Sequence, residues 1–181
     1  MKERIILGID PGTNFMGYGI ISIIGKKVKV IVAGSVSLGK LKDPYAKLKT
    51  IFDRTTSIIK QYSPTEFAIE SQFYGNNVQS MLKLGRAQGV AITAALNFDL
   101  KINEYAPKKI KVAVTGSGAA SKEQVANILQ KIMNFNPTSN FDATDALAIA
   151  LCHYYQSDKP QLEKSYSSWG DFIKKNPNRI G

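Results

Sequence analysis

Three β-prone runs stand at the head of the chain before any helix can start. This order restricts the fold more than any other feature of the sequence. RIILGI, residues 4–9, ends at Asp10, and PGTN turns the chain. MGYGIISIIG and VKVIVAGSVSL follow as two more strands, with GKK as a hairpin tip between them. An opening of this kind is an antiparallel meander. The period then changes. DPYAKLKTIFDRTTSIIKQY places its apolar residues at helical spacing behind Asp43 and Pro44, a helix-start pair. After SP, TEFAIE is a short strand ending at Glu70, NNVQSMLKLGRAQGVAITAALNF a long helix, and LKINEYAP a strand stopped by Pro107. KKIKVAV is a short helix and TGSGAA a loop. SKEQVANILQKIM is a helix opening on a capping box, Ser121 to Gln124. NFNPTSN is a loop, and a last helix runs to about Tyr155. The order βββ, α, β, α, β and then helices predicts an α/β fold: a mixed five-stranded sheet with helices on both faces.

A chain of 181 residues is one domain of ordinary size, and 44% apolar residues is typical of a globular protein. No apolar run is long enough to span a bilayer, so no membrane association is expected. The start, MKERIILGID, is interrupted too soon for a signal peptide. Cys152 is the only cysteine, which excludes an internal disulfide and fits a reducing, cytoplasmic setting. From Gln156 the composition turns polar. We expect a body of residues 1–156 and a tail of residues 157–181, partly disordered, in which Trp169 and Phe172 are the available anchors. The net charge of +10 points to a polyanion partner, usually nucleic acid. A solvated lysine-rich surface accounts for the same total, so the placement of charge has to decide.

The chain has only fourteen acids, and four of them stand at element ends. In NFDATDALAIA, Asp142 and Asp145 occupy the first turns of a helix that is apolar on most of its circumference. They are three apart and point to one side. Helix capping explains one such aspartate. Two on one face at the edge of a core repel unless a cation lies between them. Asp10 ends the first strand and Glu70 the fourth, and both face one sheet edge if those strands are parallel neighbours. Taken singly, Asp10-Pro-Gly is an ordinary turn and Glu70 an exposed strand end. Taken together, four carboxylates suffice for a pair of Mg²⁺ ions, whose remaining shell is water and substrate phosphate. Two such ions about 4 Å apart suit in-line phosphodiester cleavage.

GIDPGTNFMGYGII, AIESQFYGNN, MLKLGRAQGVAI and FDATDALAIA, in that order and spacing, resemble the RuvC family of Holliday junction resolvases over about residues 4–156. The resemblance implies a ribonuclease H-like fold and Mg²⁺-dependent cutting of four-way DNA junctions in recombination and repair. It also implies a symmetric homodimer and work beside the RuvA–RuvB branch-migration machinery. Mn²⁺ is the expected substitute ion. The family's four catalytic, metal-holding acids fall on Asp10, Glu70, Asp142 and Asp145.

Phe73 and Tyr74 follow Glu70 in a Gly-Asn-rich loop. A loop aromatic is either a lid on its own domain or a stacking platform for an unpaired base, the latter worth about 1–3 kcal/mol. The resemblance assigns the DNA-contacting role to Phe73. Lys108, Lys109, Lys111 and Lys122 flank the TGSGAAS loop, either as exposed lysines at helix ends or as phosphate contacts beside the scissile bond. The resemblance favours Lys111 and Lys122. Gly116 and Gly118 permit close approach of a DNA backbone, or merely stop a helix. His153, two helical turns past Asp145, is too far along to share the metal and reads as structural. The helix after Glu70 carries two apolar stripes, Met81, Gly85, Gly89, Ile92 and Leu96 on one side and Leu84, Ala87, Ala91 and Ala94 on another. A helix covering a sheet needs one. Three other readings stand beside the resolvase: a sugar-kinase-like ATPase lobe sharing D-x-G-T, a YqgF-type relative, and a non-catalytic junction-binding module.

Overall fold

The computed structural model describes residues 3–72, 77–134 and 141–157, together with Gly170, Ile173 and Lys174. The order is β1 (Arg4–Asp10), β2 (Phe15–Ile24), β3 (Lys27–Ser37), α1 (Pro44–Tyr62), β4 (Glu66–Glu70), α2 (Val78–Leu96), β5 (Ile102–Tyr105), α3 (Pro107–Thr115), α4 (Lys122–Met133) and α5 (Phe141–Ser157). The sheet runs β3-β2-β1-β4-β5. The first three strands are antiparallel, and β4 and β5 lie parallel to β1. The expected mixed five-stranded α/β sheet is therefore present, and the meander supplies its antiparallel half. The tail, with Trp169 and Phe172, lies outside the described residues apart from three positions.

Side chains alternate across the sheet because the strand period is two. Leu7, Ile9, Phe67 and Ile69 enter the core beneath α1 and α2. Ile6 and Ala68, one residue out of step, enter the core beneath α3, α4 and α5. Local chemistry sets the helix ends. Asp43 caps α1 by accepting from the Tyr45 and Ala46 N–H groups, with Pro44 in the first turn. Ser121 and Gln124 close the expected capping box on α4.

Helix α5 is buried on all sides from Ala146 to Tyr154 because it lies between the sheet and the pair α3 and α4. It approaches the sheet backbone to backbone. Gly8 of β1 pairs with Gly19 of β2, and Asp10 with Gly17. A Cβ on Gly8 would stand 2.2 Å from the Ala146 carbonyl oxygen, and one on Gly19 would stand 2.8 Å from the Leu147 nitrogen. These glycines form a trough that receives the helix. Its far end is fixed by a polar chain. Arg4 donates to Glu66 through Nε at 2.7 Å and Nη2 at 2.8 Å. His153 Nε2 lies 2.9 Å from Glu66 Oε2, and its Nδ1 lies 2.7 Å from the Tyr105 hydroxyl. Glu66 accepts as a carboxylate, so Nε2 carries the proton and Nδ1 accepts from Tyr105. His153 is thus a structural residue, as expected.

Candidate active site

Strand parity decides where two of the acids point. Arg4, Ile6, Gly8 and Asp10 alternate onto the α5 face, and Glu66, Ala68 and Glu70 do the same on β4. Gly8 pairs with Ala68 and Ile9 with Ile69, so Asp10 and Glu70 leave the sheet side by side. Helix α5 arrives with Asp142 and Asp145 in its first turns. Gly17 makes this possible. A Cβ there would stand 2.0 Å from the Asp142 carbonyl oxygen and 3.3 Å from the Asp10 Cβ. The first turn of α5 therefore rests on the glycine paired with Asp10.

A cavity of about 280 Å³ opens between these elements, and Asp10, Glu70, Asp145, Lys111 and Lys122 line it. The electrostatics report a deficit of positive charge. Burial pushes the Asp10 carboxyl far above the ordinary carboxylate range, and Glu70, Asp145 and Asp142 push it further. Burial also raises Glu70, and Asp145 adds to it. A hydrogen bond from Asp10 acts in the opposite sense. Two carboxyls crowded in this way relieve their repulsion by sharing a proton.

One cation does reach the group. Lys122 at the start of α4 donates from Nζ to Asp145 Oδ2 at 2.6 Å. That hydrogen bond holds the ammonium pKa above its usual value. Among the described residues no three acid, histidine or cysteine side chains are drawn up as a closed ligand cage. The crowded carboxyls and the lysine reaching into them express the same demand for positive charge. An all-oxygen donor set that raises its own pKa values and recruits an ammonium suits a hard divalent cation.

The other expected residues divide. Lys111 on α3 faces the acids and lowers Glu70. Lys108 packs along the loop, where a Cβ on Gly118 would stand 2.7 Å from its Cγ. Lys109 lies over the Tyr105 ring at 5.3 Å. Neither lines the acid cavity. Phe73 and Tyr74 lie outside the described residues. Two contributors escaped the sequence reading. Gly17 is one; its signal was the G-x-G of β2 falling opposite the G-x-D of β1. Gln88 of α2 is the other, donating to the Glu70 carbonyl oxygen at 3.2 Å and to Glu104 Oε2 at 2.7 Å. Nothing in one sequence distinguishes that glutamine from any exposed helix glutamine.

Residues 6–153 match the family model described as crossover junction endodeoxyribonuclease RuvC. A crossover junction endodeoxyribonuclease RuvC of Christiangramia forsetii is 56% identical over 180 residues, 99% of this chain and 94% of that protein. Its counterpart in Bacteroides fragilis is 55% identical over 183 residues, 99% and 97% of the two chains. Among solved structures, T. thermophilus RuvC in complex with a Holliday junction substrate superposes with a TM-score of 0.79 at 28% identity, over 85% of this chain and 94% of that one.

Proposed function

This chain belongs to the RuvC family of crossover junction endodeoxyribonucleases, and from that premise we propose how it resolves four-way DNA junctions. It is a nuclease with a ribonuclease H-like fold. Asp10, Glu70, Asp142 and Asp145 form its catalytic, metal-holding set, within a nuclease domain of residues 1–156. The observation that carries this reading is the convergence of the four acids on one sheet edge with Lys122 reaching Asp145. The ion is Mg²⁺, two per site, with Mn²⁺ able to replace it. When bound, it supplies an activated water and stabilises the leaving oxygen.

The protein's own groups do the rest. Asp10 gives up the proton it shares with Glu70 when positive charge enters the cavity. Lys122 holds its proton through the neutral range, so its ammonium is free to turn from Asp145 to a scissile phosphate. Lys111 adds a second positive charge on the same wall. Gly17 and Gln88 are positioning residues that set the height of α5 and the end of β4. Phe73 is the base-stacking residue and Tyr74 its neighbour. Lys108 and Lys109 supply phosphate contacts farther from the acids.

The protein works as a two-fold dimer in the cytoplasm, beside the RuvA–RuvB machinery. The outer stripe of α2 supports the dimer, since Gly85 and Gly89 have open space above them and Leu82 and Leu96 are exposed. Incubation with a synthetic four-way junction, Mg²⁺ and a matched linear duplex tests the activity. Paired nicks confined to the junction are expected. Equal cutting of the duplex, or binding without any cutting, would exclude a resolvase in favour of a general nuclease or a junction-binding module.

A further inference from the structure

A second cavity, of about 250 Å³, opens at the same sheet edge on the opposite face, between α1, α2 and the two loops that precede α1. It begins at Gly12 and Thr13, directly beyond Asp10 in the chain. Its floor is apolar, from Leu38, Leu48 and Ile51. Its rim is cationic, with Lys42 before α1, Lys47 on α1, and Lys83 and Arg86 on α2. Among the described residues no carboxylate lines it. Lys47 Nζ donates to the Thr13 carbonyl oxygen at 2.9 Å and ties α1 to the loop that follows Asp10. Among the described residues none of the four cations is in a salt bridge. Asp43, the nearest acid in sequence, spends both carboxylate oxygens on capping α1. Tyr45 stands at the lip with 73% of its surface exposed.

We propose that this cavity is a second DNA-backbone subsite, holding a phosphodiester of the strand that runs on from the acid cavity over the Pro11–Gly12–Thr13 loop. The inference rests on the nuclease reading for the identity of the strand. Its own grounds are three. Four like charges held together around one hollow repel each other, which costs stability unless an anion answers them. The hollow is continuous through one loop with the strand end that carries Asp10. An apolar floor under a cationic rim, with an exposed ring beside it, matches a nucleotide: phosphate on the rim, and sugar or base against Tyr45.

Junction affinity measured against salt concentration tests this, with three proteins compared. The first is wild type. The second is Lys42→Gln with Lys83→Gln, which removes one charge from each wall of the cavity at exposed positions. The third is Lys26→Gln with Lys27→Gln, which removes the same charge from the hairpin tip at the opposite end of the sheet. Loss of two phosphate contacts should flatten the slope of log K against log salt by roughly 1.8 in the cavity variant. The hairpin variant should keep the wild-type slope. An unchanged slope in the cavity variant, or equal flattening in both, overturns the subsite. A wild-type protein that binds junctions but does not cut them defeats the nuclease reading alone, because the slopes still decide the cavity.

Discussion

At the scale of single residues, the four acids differ in surroundings, and the single catalytic task proposed for them means that removing one should remove the activity. Asp10→Asn and Asp145→Asn should abolish Mg²⁺-dependent cleavage and leave junction binding intact, because affinity comes mostly from neutralised phosphates. A gel shift with wild-type affinity beside a blank cleavage lane is the expected pair of results. Cleavage near the wild-type rate in either variant would remove that residue from the catalytic set. Lys122→Ala should act on the other quantity, flattening the salt dependence of binding by roughly 0.9 for one phosphate contact. The same change removes the hydrogen bond that Lys122 donates to Asp145. Asp10 and Glu70 were legible in the sequence because strand parity fixes which way a residue points once the pairing is known. Gly17 was not, because the meaning of a glycine depends on what is laid over it, and α5 comes from more than 120 residues later in the chain.

At the scale of elements, α5 is the part on which the site depends, and it is held at both ends. At its start the fit over Gly17 leaves no room for a methyl group. Gly17→Ala should therefore lift the first turn and cost on the order of 1–3 kcal/mol, as overpacking does. Denaturant titration would report that loss, and single-turnover cleavage should fall further than stability explains, because Asp142 and Asp145 move with the turn. A wild-type rate in a destabilised protein would show that the helix adjusts elsewhere. At its other end α5 is tied to β4 and β5 through His153, and that tie is pH-sensitive. Burial lowers the His153 pKa below its ordinary 6.5, although Glu66 pulls the other way. The Arg4 hydrogen bond lowers the Glu66 pKa. In both cases the unfolded chain binds the proton more readily than the folded one, so stability falls as pH falls. The histidine contribution is lost first, from about pH 6.5 downward, and the glutamate contribution at lower pH. The melting temperature should drop across this range, and His153→Gln should flatten its upper part. An identical pH profile in that variant would show that the loss arises elsewhere. The helix periods, the capping box on α4 and the start of α1 were all readable, since each is decided by neighbours in sequence. The glycine trough and the Arg4–Glu66–His153–Tyr105 chain were not, because each joins segments that only the fold brings together.

At the scale of the whole molecule, one chain carries one set of acids, while resolving a four-way junction requires two symmetric cuts. A C₂ pair meets that requirement by placing two sites in matching orientation. Of the two stripes read from α2, one is buried and the other divides, with Met81 and Ile92 partly covered and Gly85, Gly89 and Leu96 open. Ala87, Ala91, Ala94 and Ala95 are buried against the chain's own core, and Leu84 is partly covered. Gly85 and Gly89 face outward with nothing within 4 Å of an added Cβ, flanked by exposed Leu82 and Leu96. The alternative, that the same chain covers both sides, holds for Ile92 but fails for Gly85, Gly89 and Leu96 among the described residues. Small residues between exposed leucines let a second helix approach closely and bury the leucines against its own stripe. Sedimentation at micromolar protein should therefore give about twice the 19.9 kDa chain mass. Gly89→Arg adds a long charged side chain where the structure has open space, so the single chain should fold unchanged while the pair is driven apart. The expected variant is monomeric, melts close to wild type, and nicks a junction on one strand without the matching second cut. A wild-type protein that remained monomeric both free and on junction DNA would rule out this interface and the paired-cut mechanism together.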